Sequence, residues 1–130
     1  MKIRSIRIVT ADVAASANLF AQLLGQQATG YPDYMEVPAG GIALAFCTPA
    51  ALATATPELS DCAPGAQILE FDVDDLDLIE HQLEDSVDVI QHPTTQPWGN
   101  RSMIVRTDNG TLVNFFMPAP GVARTWPSQT

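Results

Sequence analysis

The feature that most limits what this chain can fold into is a duplication. Lys2 to Thr10 alternates as a strand, with Ile6 and Ile8 on one face and Ser5, Arg7 and Val9 on the other. Asp12 then stands where a helix N-cap belongs, and VAASANLFAQLLG sets Val13, Ala17, Phe20, Leu23 and Leu24 on one helical face before Gly25 stops it. Three short strands follow, Gln27 to Tyr31, Tyr34 to Val37 and Ile42 to Thr48, with turns at Pro32-Asp33 and Gly40-Gly41. The same order returns in GAQILEFDVDDLDLIEHQLED: an alternating strand, a helix capped by Asp74 or Asp75, and a buried stripe of Leu76, Ile79 and Leu83. Val87 to Ile90, Ser102 to Arg106 and Leu112 to Met117 complete it, the last two strands joined at Asp108-Asn109-Gly110. A shift of about sixty-three residues aligns Ser5 with Ile68, Arg7 with Glu70, Ile8 with Phe71, Asp12 with Asp75 and Phe20 with Leu83. The expected class is α+β, two βαβββ modules over residues 1–48 and 65–118, a linker over 49–64 and a tail over 119–130.

A chain of 130 residues, 46% of them hydrophobic, buries one domain's worth of core. Fifteen acidic residues against six basic ones give a net charge of -9 with no basic cluster, which argues against a nucleic-acid partner. No stretch reaches membrane-spanning length and the N-terminus lacks a signal peptide's apolar run, so no membrane partner and a cytoplasmic location are expected. Cys47 and Cys62 then read as free thiols, and neither sits in a zinc-type cluster. His81 on the second helix and His92 beyond a strand read as surface histidines.

The ADVAAS opening with its LLG stop, the FDVDDLD restart, the PWGNR segment and the DNG turn, in this order from Met1 to Pro118, resemble the vicinal oxygen chelate superfamily. That superfamily holds glyoxalase I, extradiol dioxygenases, fosfomycin resistance enzymes and bleomycin resistance proteins. The resemblance implies a cupped mixed sheet with helices outside and a ligand inside. In metal-dependent members four side chains point into the cup from first and last strands. The matching positions here are Ser5, Ala45, Ile68 and Asn114, with no carboxylate or imidazole among them. A hard divalent ion finds no adequate donors there. No metal and no other cofactor is therefore expected, and the likeness is to the metal-free bleomycin resistance type.

The candidate ligand-binding residues are Arg7, Glu70, Trp98, Asn114, Phe116, Tyr34 and Arg101, with Tyr31 an alternative to Tyr34. Arg7 and Glu70 form an internal ion pair or orient a polar ligand; Asn114 ties down a strand or bonds a ligand amide. Trp98, Phe116 and the tyrosines offer flat contact area, and Arg101 pairs with an acid across an interface. Three functions remain open at this level. One is a small-molecule binder that sequesters an antibiotic or metabolite; another is a lyase or isomerase acting on a carbonyl compound with Glu70 as base. The third is a structural or regulatory dimer without ligand. The resemblance also implies a homodimer, against which Trp126 of the tail either packs or stays loose.

Overall fold

The computed structural model describes residues 1–122. They divide into two compact units, one of residues 4–67 and one of residues 68–122 together with residues 1–3. Each unit is a mixed four-stranded sheet with a helix on one face, so the fold is α+β. The expectation for Trp126 lies outside the described residues.

In the first unit, β1 (Lys2–Val9), α1 (Val13–Leu24), β2 (Thr29–Tyr31), β3 (Tyr34–Pro38) and β4 (Ala43–Cys47) follow in that order. The sheet order is β2-β3-β4-β1; β1 runs parallel to β4, and the hairpins β2-β3 and β3-β4 are antiparallel. A parallel pair needs a long crossover, which the helix and hairpins between β1 and β4 supply. Asp12 caps α1, its side chain accepting from the Ala15 amide, and Gly25 closes the helix in the left-handed region at φ 65. Because side chains alternate along a strand, the register puts Ile8, Phe46 and Met35 in one cross-strand line. Val13, Ala17 and Phe20 of α1 cover this line, with the Phe20 and Phe46 rings stacked at 5.6 Å. Phe46 is fully buried, worth about 1.5–3 kcal/mol by transfer.

Leu23 and Leu24, expected on that buried face, are instead 70% and 41% exposed. At about 100° per residue Leu23 falls well off the Val13-Ala17-Phe20 stripe. Leu24 points the right way, but in the last helical position before Gly25 turns the chain.

The stretch 49–64, expected as a plain linker, contains α2 (Pro49–Ala55) and a 3-10 turn at Pro57–Leu59. Thr48 caps α2 through a 3.0 Å bond from the Ala51 amide, and Pro49 sits in the first turn, where its missing N–H costs nothing. Leu52 and Leu59 anchor it by burial.

The second unit repeats the plan with β5 (Gln67–Asp72), α3 (Leu76–Leu83), β6 (Asp88–Thr95), β7 (Asn100–Arg106) and β8 (Leu112–Pro118), in sheet order β5-β8-β7-β6. Asp75, not Asp74, caps α3, by accepting from the Leu78 amide. Phe71, Phe115 and Met103 form the line equivalent to Ile8, Phe46 and Met35, under Leu76, Ile79 and Leu83 of α3. β6 runs five residues past its expected end at Ile90, through Pro93. It is the edge strand, where a missing N–H breaks no ladder, and its register shifts twice against β7. No helix among the described residues is long and apolar enough to cross a membrane.

Candidate functional site

Opposite the apolar line of each sheet runs a polar one. In the second unit β5 and β8 are parallel neighbours, and their register sets Glu70 beside Asn114, with Ile104 and then Gln91 continuing the row. All face away from α3, because the alternating residues Phe71, Phe115 and Met103 face it. Glu70 is 4% exposed and Asn114 6%. The Asn114 Nδ2 donates to Glu70 Oε2 at 2.9 Å. A carboxylate taken out of water needs such a donor, since burying a charge without hydrogen bonds costs several kcal/mol. Asn114 Oδ1 is also buried, and among the described residues nothing donates to it. Leaving an acceptor so costs about 1–3 kcal/mol.

The next row holds Asp72, Phe116 and Ser102. Phe116 is 4% exposed and shares its face with Asn114 two residues before it. The Gln96 Nε2 donates to Ser102 Oγ at 3.1 Å, both residues being buried. One sheet face thus gathers Glu70, Asn114, Gln91 and Ser102 with the apolar Ile68, Ile104 and Phe116. Trp98 lies apart from these buried rows, 59% exposed on the turn that Gly99 closes by donating to the Gln96 carbonyl at 3.1 Å. Arg101 faces the other way. Its Nη1 donates to Asp77 Oδ1 of α3 at 2.9 Å, an ion pair within the chain where one across an interface was expected.

The first unit carries a parallel arrangement. Arg7, Ala45 and Glu36 form one cross-strand row facing away from the Ile8-Phe46 line. Glu36 accepts from Arg4 Nη2 at 3.3 Å and from the Tyr34 hydroxyl at 2.6 Å. Tyr31 is 64% exposed, its ring 6.1 Å from that of Tyr34. Sequence reasoning passed over Glu36, Gln91, Gln96 and Ser102. Glu36 carried a usable signal, since the alternation of Tyr34-Met35-Glu36-Val37 places it with Tyr34 and opposite the apolar pair. Its partner Arg4 lies thirty-two residues away, beyond what alternation reveals.

The positions that would carry metal ligands hold a hydroxyl, a methyl, an aliphatic chain and an amide. Ser5, Ala45 and Ile68 are buried, and the Asn114 amide nitrogen is engaged with Glu70. This donor set does not fit a divalent cation, which wants carboxylates or imidazoles. Among the described residues no group of three or more His, Cys, Asp or Glu is placed to hold a metal ion. His81 and His92 are exposed and stand beside Glu84 and Glu80, at 3.5 Å and 2.8 Å. Cys47 and Cys62 are not joined in a disulfide.

A family model described as Glyoxalase/Bleomycin resistance protein/Dioxygenase superfamily matches residues 2–115. Among solved structures, one described as an NAD-dependent benzaldehyde dehydrogenase from Legionella pneumophila is 20% identical, covering 88% of this chain and 97% of that one, with a TM-score of 0.67. Methylmalonyl-CoA epimerase from Streptomyces coelicolor is 17% identical over 96% of this chain and 99% of its own, at 0.64. A glyoxalase/bleomycin resistance protein/dioxygenase superfamily member from Vibrio splendidus 12B01 is 17% identical over 89% and 99%, at 0.62. Identities this low establish a shared fold and nothing finer. Comparison with curated proteins returns no match.

Proposed function

Since the chain belongs to the Glyoxalase/Bleomycin resistance protein/Dioxygenase superfamily, we propose that it is a metal-independent binder of a small organic molecule that donates hydrogen bonds. The observation that carries this reading is the Asn114 carbonyl oxygen, buried beside the Glu70 carboxylate and, among the described residues, lacking a donor. A ligand amine, amidine or amide N–H supplies the missing donor, and a cationic one also meets the negative charge of Glu70. Ile68, Ile104 and Phe116 on the same face supply apolar contact, the usual composition of a small-molecule site. The net charge of -9 favours cations over anions at longer range.

A thermal-shift screen of amine-bearing antibiotics and metabolites against acidic ones tests the proposal. A ligand at a hundred times its Kd adds about 2.7 kcal/mol of stability. The shift should be confined to donor-bearing compounds and disappear in Asn114→Leu. Shifts produced only by carboxylic acids, or kept in full by Asn114→Leu, refute it.

The burial of Glu70 favours a second reading, in which this carboxylate is the base of a lyase or isomerase acting on a carbonyl compound. Glu70→Gln separates the two. A base lost this way abolishes turnover while the ligand still binds, whereas a binding carboxylate lost this way weakens affinity for cations.

A further inference from the structure

Resting on the reading of Asn114 and Glu70 as a binding site, we propose that the ligand is a diamine whose two nitrogens are separated by four or five carbons, each nitrogen held by one of two successive rows of the second sheet. The first row pairs Glu70 with Asn114, and the next pairs Asp72 with Phe116, across the parallel strands β5 and β8. Residues two apart on a strand share a face, so Glu70 and Asp72 leave the backbone on the same side, about 6.6 Å apart, turned away from α3.

Each row offers an ammonium group a carboxylate and a second partner. In the first row the second partner is Asn114 Oδ1, buried and, among the described residues, without a donor. The bond from Asn114 Nδ2 to Glu70 Oε2 at 2.9 Å fixes the amide, and a carboxylate accepts more than one hydrogen bond, so Glu70 still serves a ligand. An ammonium group has three protons and can reach both the amide oxygen and the carboxylate. In the second row the partner is the aromatic ring of Phe116, which the register sets beside the half-buried Asp72. Cations are attracted to ring faces. A single amine would neutralise one of two acids that repel each other on one strand face; a diamine neutralises both.

The neighbouring rows set the length. β5 ends at Asp72 on one side. On the other, the row of Ile68 and Leu112 is apolar on β5 and β8, and its cation, Arg106 on β7, has Asp88 directly across from it on β6. The site therefore has two acidic ends one row apart, a separation that a chain of four or five methylenes spans. Ile104, next to Asn114 in its row, and Phe116 give those methylenes apolar contact.

Isothermal titration calorimetry of the chain with α,ω-diamines of two to eight carbons, and with monoalkylamines of the same lengths, tests the proposal. Affinity should peak at four or five carbons, at least tenfold above the monoamine of equal length. Asp72→Asn, checked for folding by a cooperative melt, should bring the diamine down to the monoamine's affinity, and Asn114→Leu should weaken both. The chain-length profile of the wild type decides the matter even where a variant fails to fold. Affinity that climbs steadily with length, monoamines that bind as well as diamines, or an advantage kept in full by Asp72→Asn overturns the proposal. So does a series that does not bind at all; if the thermal-shift screen still finds ligands that depend on Asn114, the reading of the site stands and only the diamine falls. Diamine binding that Asn114→Leu leaves intact overturns both.

Discussion

Replacing Asn114 by Asp keeps the shape of the side chain and exchanges an N–H donor for an oxygen, 2.9 Å from Glu70 Oε2. Two ionised carboxylates at that separation repel by about 6 kcal/mol at an effective dielectric constant of about 20. The folded variant escapes by taking up one proton between them, as closely spaced acids do. Holding a proton at pH 7 on a carboxyl whose ordinary value is near 4 costs about 4 kcal/mol. The shared O–H···O bond replaces the lost N–H···O bond, and small movements relieve part of the strain. The expected loss at pH 7 is therefore about 2–4 kcal/mol, a fall in Tm of roughly 8–16 °C for a chain of this length. The sign of the pH dependence follows from proton counts. The folded variant binds a proton that its unfolded chain does not, so its deficit against wild type shrinks as pH falls, by about 1.4 kcal/mol per unit between roughly pH 7 and 5. Calorimetric melts of both proteins across that range measure it. A Tm within about 2 °C of wild type at pH 7, with no convergence on acidification, would refute the reasoning: Asn114 and Glu70 would then be apart, or wet.

Gly30 has φ +140, and a Cβ there would lie 2.2 Å from the Tyr34 carbonyl oxygen; Gly30→Ala should therefore cost about 2 kcal/mol or more in a urea titration by opening the β2-β3 hairpin. Trp98→Ala should leave stability within about 0.5 kcal/mol of wild type, because the ring is 59% exposed; a smaller ligand-induced Tm rise in this variant would mark the turn as part of the binding surface. Exhaustive dialysis against EDTA should change neither Tm nor the ligand-induced shift, and restoring either with Zn, Ni, Fe or Mn would overturn the reading of Ser5, Ala45, Ile68 and Asn114.

Much of the scaffold was legible because its signals are local. Asp12 and Asp75 cap the helices they precede, Gly25 takes the αL position, and Gly110 turns the last hairpin at φ 91. These features need only a few neighbouring residues. What could not be read depends on distant parts of the chain. The seven residues of α2 are too few for periodicity to show, and burial of Leu52 and Leu59 supports them. The strand expected to end at Ile90 runs on through Pro93 to Thr95, because at the edge that β6 occupies a missing N–H breaks no ladder. Arg101 was placed near a ligand by the motif around it, whereas the alternation through Met103 and Val105 already assigned it to the face on which α3 packs.

The duplication explains why the scaffold and the site differ in legibility. Ile8, Phe46 and Met35 in one repeat answer to Phe71, Phe115 and Met103 in the other, so the line beneath each helix stays apolar and large. Packing density allows little else, since a missing methylene there costs stability at once. On the opposite face the equivalent residues have parted: Arg7 answers to Glu70, Ala45 to Asn114 and Glu36 to Ile104. Nothing in the ladder of backbone hydrogen bonds requires any of these side chains. The divergence is also chemically uneven, for Ala45 is a bare methyl where Asn114 brings an amide whose oxygen lacks a donor among the described residues. Were these rows mere filling, the inexpensive solution in the second repeat would be another alanine, with no acceptor to leave unsatisfied. Replacing this residue with the one at the equivalent position of the first repeat, Asn114→Ala, thus separates structure from function: it removes the orphan acceptor but also the donor to Glu70. A protein that keeps its stability and loses its ligand would show that the amide is retained for binding.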